Sequence, residues 1–230
     1  MIIGIGNVGS TSFKSKIIDI GSSNKIRLLG QANIDKIKSE GDSNFTHSVG
    51  DNPTEKEVVN IFGFEAAINL AIEWYIKNGV ISKPQDIQAV GFKCVLGETN
   101  GANMLTPAIL AEMQKYAFVA QAHNIPYIES IGVFSKILNV PMVGVFEPSF
   151  HYSLPEFRRP LGFPWEWYEK LGIKKFGFHG ASHRYLSAMA FKLMGTEEIK
   201  LITIHLGGSS SICAVKNGKS IDVSHSFSPN

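Results

Sequence analysis

Two histidines spaced four residues apart, His179 and His183, lie in the sequence FGFHGASHRY. This stretch predicts a strand end at 176–178, a turn at the first histidine and a helix capped by Ser182, which continues through 186–194. Such a junction points backbone N–H groups and the positive end of a helix at a ligand, which favours anions. A capped helix with two surface histidines is the alternative, and the spacing alone does not decide.

Two turns rich in glycine and hydroxyl residues are the second feature whose residue types could bind a ligand. The first, GNVGSTS at 6–12, lies between apolar segments at 1–5 and 13–20, which predicts a hairpin. The second, HLGGSSS, occupies 205–211. Glycines let the backbone approach a phosphate, hydroxyls and amides donate to its oxygens, and Lys14 adds charge near the first turn. An ordinary β-turn is the alternative for the first turn.

The elements around these turns alternate between strands and helices. A strand at 201–204 precedes the second turn, and Asn217-Gly218 between 212–215 and 220–223 predicts another hairpin. Residues 21–56 are polar and predict an irregular connection with one strand near 28–34. Thr54 and Glu57 fit a capping box, which predicts a helix running to about Asn78. Its predicted buried face recurs at helical spacing and contains Ile61, Phe64, Ile68, Ala71, Ile72 and Tyr75.

The middle of the chain predicts a buried strand that carries a carboxylate at its end. Strands are expected at 87–95 and 140–146, helices at 107–121 and 127–138, and a covering loop with a short helix at 165–171. Glu147 follows the second strand, and ligands of α/β sheets bind beyond the carboxyl ends of strands. A solvated carboxylate is the alternative for Glu147. The pattern predicts an α/β fold with a central mixed sheet and flanking helices.

Composition excludes several classes of protein. The 230 residues are 44% hydrophobic and 18% charged, with a net charge of +2 and no basic run typical of nucleic-acid binding. Cys94 and Cys213 are far apart and predict reduced core thiols rather than a disulfide or metal site. The chain shows no signal peptide and no apolar stretch of ~20 residues, so we expect a soluble cytoplasmic protein, of one large domain or two small ones.

FGFHGASHRY resembles the signature of the acetate, propionate and butyrate kinase family. Four further stretches resemble that family in the same order: NVGSTSFK at 7–14, VFEPSFH at 145–151, WEWYEKLGI at 165–173, and 202–229. Residues 25–90 carry little of the likeness. The resemblance implies the ribonuclease H-like fold of the superfamily of actin, sugar kinases and heat-shock chaperones. It also implies that 1–230 is the N-terminal domain of a two-domain kinase, with 201–230 as a short extension that carries a site hairpin and the second domain absent.

The resemblance further implies an activity and a set of site residues. The activity is transfer of the γ-phosphate of ATP to a short-chain carboxylate, with Mg²⁺ as cofactor, and it leaves a homodimer open. Phosphate contacts, and a metal contact at Asn7, are expected near the first turn. The catalytic groups lie elsewhere in the sequence, and His179, His205, Asn7, Glu147 and Lys93 are expected to converge on one cleft. The implied catalytic residues are Lys93, Glu147, His179 and His205, and the implied substrate-binding residues are Asn7, Ser10, Ser12, Lys14, His123, Gly207 and Gly208.

Several positions depart from the family pattern. Lys93 stands where the family has arginine and Glu147 where it has aspartate, while Gly208 replaces an asparagine and Ser209 a glycine. Lysine cannot form a two-pronged contact with a carboxylate, so the change from arginine is not neutral. A truncated or degenerate non-catalytic binding module is therefore the alternative to an enzyme, and a sugar-kinase relative is a third hypothesis. The sequence does not identify which acid is the substrate.

Overall fold

The computed structural model describes residues 1–23, 25–37, 41–97, 99–118 and 121–227. The chain divides into two compact units, Met1–Gly97 with Ala102–Val145, and Glu98–Gly101 with Phe146–Asn230. The composition leaves one large domain or two small ones open, and the single domain over 1–230 that the resemblance implies stays a prediction. No helix of the described residues is long and apolar enough to cross a membrane.

The first unit contains an eight-stranded mixed sheet with helices packed on it, as the predicted α/β class requires. Its spatial order is β5-β4-β3-β2-β1-β6-β8-β7, with β1 parallel to β6 and antiparallel to β2. The strands are β1 Ile2–Val8, β2 Ser12–Ile20, β3 Ile26–Asp35, β4 Ser43–Val49, β5 Glu55–Val59, β6 Ala89–Cys94, β7 Ala102–Met104 and β8 Met142–Phe146.

The N-terminal hairpin is confirmed, but its turn is shorter than predicted. Gly6 and Asn7 lie inside β1, and Gly9 N–H donates to the carbonyl of Ser12 at 2.8 Å to close the turn. A Cβ at Gly6 would lie 2.9 Å from the Phe92 ring, so this glycine serves strand packing. Buried and exposed positions alternate through the glycines, since Gly4, Gly6 and Val8 are buried whereas Ile5 and Asn7 are exposed, so the strand continues past position 5.

The connection 21–56 is not irregular, and the predicted helix start at Thr54 is wrong. The predicted strand there is β3, while β4 and β5 follow it. The capping-box residue Glu57 lies in β5, pairs with Phe45 of β4 and contacts His47 Nε2 at 3.1 Å. Pairing with the sheet edge therefore outweighs the local capping signal. The helix α1 (Gly63–Lys77) begins later, which leaves Ile61 outside it, and its buried residues are Phe64, Ala67, Ile68, Ala71, Ile72 and Tyr75.

Two further helices of the first unit differ from the prediction at their boundaries. Helix α2 (Pro107–Lys115) is followed by a 3₁₀ turn at Tyr116–Phe118, and α3 (Gln121–Ile137) includes Pro126. The predicted α2 residue Val119 lies outside the described residues. The early start of α3 is stabilised by buried Asn124, whose amide donates to the carbonyls of Leu96 at 2.9 Å and Met113 at 2.8 Å. These bonds satisfy a buried amide.

The second unit contains a three-stranded antiparallel sheet and two helices in its described part. The strands are β9 Lys200–His205, β10 Ser211–Lys216 and β11 Lys219–Val223, in the order β11-β10-β9, and the helices are α4 Trp165–Leu171 and α5 Gly180–Met194. The predicted hairpin is confirmed, because Asn217 (φ 49°) and Gly218 (φ 78°) both adopt the positive φ of a type I′ turn. A 3₁₀ segment, Glu147–Ser153, packs on α5 and β11.

Candidate active site

His179 precedes α5 as its N-cap residue, in the left-handed conformation (φ 57°, ψ 23°). The strand predicted at 176–178 is not formed, and α5 begins at Gly180 rather than after Ser182. The reason for the glycine is steric, because a Cβ at Gly180 would collide with the backbone carbonyl oxygen of Glu147. The predicted cap residue Ser182 instead lies in the first turn of α5, where its hydroxyl bonds His205 Nδ1 at 3.0 Å.

Three imidazole rings meet at this helix start. The rings of His179 and His205 are stacked with centroids 4.0 Å apart, and His225 lies 4.6 Å from His179 on another side. His225 follows β11 and is 6% exposed, and its Nδ1 has no hydrogen-bond partner among the described residues. Sequence reasoning missed His225, because a single histidine in a polar tail has no distinctive spacing.

Hydroxyl groups bind both nitrogens of His179 and of His183. His179 Nδ1 lies 2.8 Å from Ser211 Oγ, and its Nε2 lies 3.2 Å from Ser209 Oγ. His183 Nε2 lies 2.8 Å from the same Ser211 Oγ, and its Nδ1 lies 2.8 Å from Thr203 Oγ1. His183 is fully buried, so the alternative of two surface histidines is wrong for this residue.

A fifth histidine, His151, stabilises the FGF segment. Its Nδ1 lies 2.9 Å from Ser220 Oγ and its Nε2 donates to the carbonyl of Phe178 at 3.0 Å. Gly177 (φ 78°) packs on this ring, since a Cβ there would lie 2.6 Å from it. The glycine between the two phenylalanines therefore serves a close approach to His151 and not a ligand.

Burial keeps the imidazoles of His179, His183, His151 and His225 neutral near pH 7. It is the main cause that lowers the pKa of His179, His183 and His151 to about 4, and it also lowers the pKa of His225. Neighbouring histidine charges add to the effect at His179, whereas the Glu147 carboxylate opposes it. A neutral imidazole presents one donor and one acceptor, so which nitrogen carries hydrogen decides what His179 can bind.

Glu147 and the second glycine turn complete the candidate site of the second unit. Glu147 is half-buried and begins the 3₁₀ segment directly after β8, at the strand end where the sequence predicted it. Gly207 lies beside His205 Nε2, which would be 3.4 Å from an added Cβ. At Gly208 an added Cβ would meet no described heavy atom within 4 Å, so its backbone is open to a ligand.

The first unit places three predicted residues in a row on one face of its sheet. Asn7 of β1 pairs with Lys14 of β2 across the hairpin. On the other side of β1, Gly6 pairs with Phe92 of β6, so the next residue of β6, Lys93, lies beside Asn7. Side chains at matching register share a face of the sheet. The Tyr127 hydroxyl donates to Asn7 Oδ1 at 3.0 Å and fixes the amide. This row therefore combines two cations with an amide at the strand ends.

The remaining predicted residues of the first unit lie near the same hairpin or on α3. Ser10 is in the turn, and Ser12 is the first residue of β2. His123 lies in the first turn of α3, whereas the sequence predicted a turn between two helices. Among the described residues, no group of three or more His, Cys, Asp or Glu side chains is arranged to hold a metal ion. Convergence of both sets of residues on one cleft stays a prediction.

Comparison with known proteins connects this geometry to a family. The family model described as "Acetokinase family" matches residues 2–230. The chain belongs to the acetokinase family. This confirms the resemblance inferred from FGFHGASHRY and the four other stretches.

Relatives of this acetokinase chain share its sequence and fold over nearly its whole length. Acetate kinases of Bacillus cytotoxicus and Clostridium novyi are 36% and 37% identical, over 97% of this chain and 56% of their own. The crystal structure of the Porphyromonas gingivalis acetate kinase matches with a TM-score of 0.86 and 28% identity, over 99% of this chain and 58% of that one. A propionate kinase from Francisella tularensis matches with a TM-score of 0.87 and 26% identity, over 99% and 58%. The chain thus spans about half the length of the relatives it matches.

Proposed function

We propose that this chain is the N-terminal half of a carboxylate kinase, which transfers the γ-phosphate of ATP to a short-chain carboxylate and forms an acyl phosphate and ADP. The observation that carries the proposal is the imidazole pair His179 and His205, stacked at 4.0 Å beside a glycine turn whose Gly208 is open. Phosphoryl transfer requires positioning and charge stabilisation more than covalent help from the protein.

We infer roles for individual residues from the family resemblance and from the groups that surround each side chain. A carboxylate oxygen attacks the γ-phosphorus while the bond to the β,γ-bridging oxygen breaks, and His179 and His205 would donate to the equatorial oxygens. Glu147 lies near these rings and would orient the attacking group. Lys93 would bind the carboxylate by its charge, without the two-pronged geometry of an arginine.

Residues of the first hairpin fit the nucleotide phosphates. Lys14 and Asn7 lie on one face of adjacent strands, and Ser10 and Ser12 add hydroxyl donors at the turn. His123 would add a further phosphate contact from α3. Magnesium, when bound, would neutralise phosphate charge. Asn7 offers an amide oxygen to it, and one lone pair of that oxygen already accepts from Tyr127, which would orient it.

A non-catalytic binding module is the second candidate. It is favoured by Lys93 and Glu147 at positions where the family pattern has arginine and aspartate. A cytoplasmic location belongs to either proposal and is supported by two buried free thiols, Cys94 and Cys213. Whether the protein forms a homodimer is checked by sedimentation.

The test is an acyl-phosphate assay on the full polypeptide that the gene encodes. Hydroxylamine traps acyl phosphate as a hydroxamate, with ATP, Mg²⁺ and acetate, propionate or butyrate as substrates. An enzyme gives magnesium-dependent hydroxamate that is lost in His179→Asn and retained in Gly132→Ala, whose added methyl group meets open space on α3, away from the proposed site residues. Binding of ATP by calorimetry without any hydroxamate would instead support the binding module.

A further inference from the structure

A single hydroxyl group links the two histidines of the FGFHGASHRY segment. Ser211 Oγ lies 2.8 Å from both His179 Nδ1 and His183 Nε2. A hydroxyl has one hydrogen, so it donates to one of these nitrogens and accepts from the other. The hydrogen positions on the two rings are therefore coupled, and whatever fixes the tautomer of His183 also fixes that of His179.

Thr203 sets the direction of this chain of bonds. Its hydroxyl lies 2.8 Å from His183 Nδ1 and 3.5 Å from the carbonyl of Cys213, which can only accept. Both contacts are hydrogen bonds only when Thr203 accepts from His183 Nδ1–H and donates to the carbonyl, so the arrangement with a bare Nε2 on His183 makes one more hydrogen bond than its reverse. Ser211 donates to that bare Nε2 and in turn accepts from His179 Nδ1–H.

The last member of the chain is the nitrogen that faces the glycine turn. With hydrogen on Nδ1, His179 has a bare Nε2, which accepts from Ser209 Oγ at 3.2 Å. Four titratable groups surround His179. His183 lies on the helix that His179 caps, whereas His205 on β9, His225 after β11 and the Glu147 carboxylate belong to other elements. Burial lowers the pKa of His179 and His183 to about 4, so both rings are neutral near pH 7 and the tautomer argument applies.

We propose that Thr203, His183 and Ser211 are positioning residues that hold His179 with its hydrogen on Nδ1 and a bare Nε2 toward the glycine turn. A consequence rests on the proposed function. A phosphoryl oxygen is an acceptor, so it cannot bind a bare Nε2 until that nitrogen gains a hydrogen. Binding of a phosphoryl group at His179 is therefore accompanied by uptake of one proton from solvent, which converts the ring to an imidazolium donor.

The tautomers are measured directly by long-range ¹H–¹⁵N NMR on the ¹⁵N-labelled chain at pH 7.5. This experiment separates ring nitrogens that carry hydrogen from bare ones and needs no activity. We expect hydrogen on Nδ1 in both His179 and His183. Hydrogen on Nε2 of His179 in the wild-type chain would overturn the proposal without any variant being made.

The decisive variant changes a residue that makes no hydrogen bond to His179. Thr203→Val keeps the shape but removes the acceptor, so His183 moves its hydrogen to Nε2, Ser211 turns its hydroxyl to His179, and His179 switches to Nε2–H. Thr203→Ser restores the wild-type tautomers. In a Ser211→Ala background the link is cut, and Thr203→Val should no longer affect His179. The matched control is Ser182→Ala, which removes a hydroxyl that bonds His205 Nδ1 and neither His179 nor His183. An unchanged His179 in folded Thr203→Val refutes the coupling.

Sulfate, an oxyanion that carries no hydrogen at pH 7.5, is added to the same labelled chain as a phosphoryl mimic and separates this proposal from the proposed function. If sulfate binds at the imidazole pair, both nitrogens of His179 shift toward the imidazolium range, and a weakly buffered sample takes up as much as one proton per chain. If sulfate changes nothing at His179, the proposed phosphoryl site loses support, whereas the tautomers of the free chain remain as the hydroxyl network fixes them. Sulfate bound at His179 with no proton uptake would contradict the bare Nε2.

Discussion

Protonation of His151 should destabilise the second unit as the pH falls below neutrality. The ring is fully buried, its Nε2 donates to the carbonyl of Phe178, and its Nδ1 accepts from the hydroxyl of Ser220 at 2.9 Å. An imidazolium would need a second acceptor, while Ser220 can serve as one only by turning its own hydrogen away. Burial is the main cause that lowers the pKa of His151 from 6.5 to about 4; the hydrogen bond to Phe178 opposes this shift, and the charges of neighbouring histidines add to it.

The magnitude and its sign follow from linkage. Because the pKa is lower in the folded chain, the unfolded chain binds the proton first, so the contribution to stability is complete above pH 6.5 and is lost as the pH falls toward 4. A difference of ~2.5 pKa units corresponds to ~3 kcal/mol in total, of which ~2 kcal/mol is lost between pH 7 and pH 5.

The assay is urea denaturation at several pH values, followed by tryptophan fluorescence in a Trp74→Phe background, so that Trp165 and Trp167 report the second unit. His151→Gln keeps a donor for Phe178 but does not titrate. It is expected to be less stable than the parent at pH 7, and this deficit should shrink by ~2 kcal/mol at pH 5. Leu154→Ala is the control, because it removes buried apolar volume without a titrating group and its deficit should not vary with pH. A His151→Gln deficit that is constant across pH would refute the reasoning.

Three further substitutions test the site and its scaffold. Gly180→Ala forces a methyl group against the carbonyl of Glu147 and should lower the free energy of unfolding by ~1–3 kcal/mol or more, whereas Gly208→Ala should be nearly neutral; equal melting temperatures would contradict this. Gly218→Ala places a side chain at φ 78° and should cost ~1–2 kcal/mol in the hairpin, measured by denaturant unfolding against the parent. Lys93→Arg in the full polypeptide should raise kcat/KM for short carboxylates about tenfold or more in the hydroxamate assay, alone or with Glu147→Asp, since a charge-assisted hydrogen bond is worth ~1.5–3 kcal/mol. A rate that falls in both versions would mean that the lysine is adapted to its task or lies away from the substrate.

Sequence patterns predicted the strands that alternate and are closed by strong turn residues. Both hairpins, at 1–20 and around Asn217-Gly218, have strands whose side chains alternate between buried and exposed positions. The strand β5 was not predictable in this way. Four of its five residues are exposed, and it exists because its backbone completes the edge of β4. Local capping residues, Thr54 and Glu57, then indicated a helix that tertiary pairing does not allow.

Helix boundaries around Pro126 show a second limit. Proline inside a helix usually marks an end, so the sequence placed the start of α3 after it. The structure starts α3 at Gln121, six residues before the predicted start at 127, because the amide of Asn124 donates to two carbonyls of other segments. Those partners, Leu96 and Met113, are 28 and 11 residues away in sequence. Contacts over such separations leave no periodic signal at the helix itself.

The candidate site divides into a part that sequence could predict and a part that only strand register creates. His179 and His205 were predicted from the resemblance, but the hydroxyls that bind the histidine rings were not, since serine and threonine in strands usually have no chemical meaning. Register across β9 and β10 pairs Ser211 with His205 and Cys213 with Thr203, and so carries both hydroxyls to the buried rings beneath α5. A one-residue slip of β10 would turn Ser211 to the opposite face of the sheet and leave Nε2 of His183 without its hydroxyl partner. The tautomer of His179 is therefore decided by strand pairing and not by the FGFHGASHRY segment in which that histidine lies.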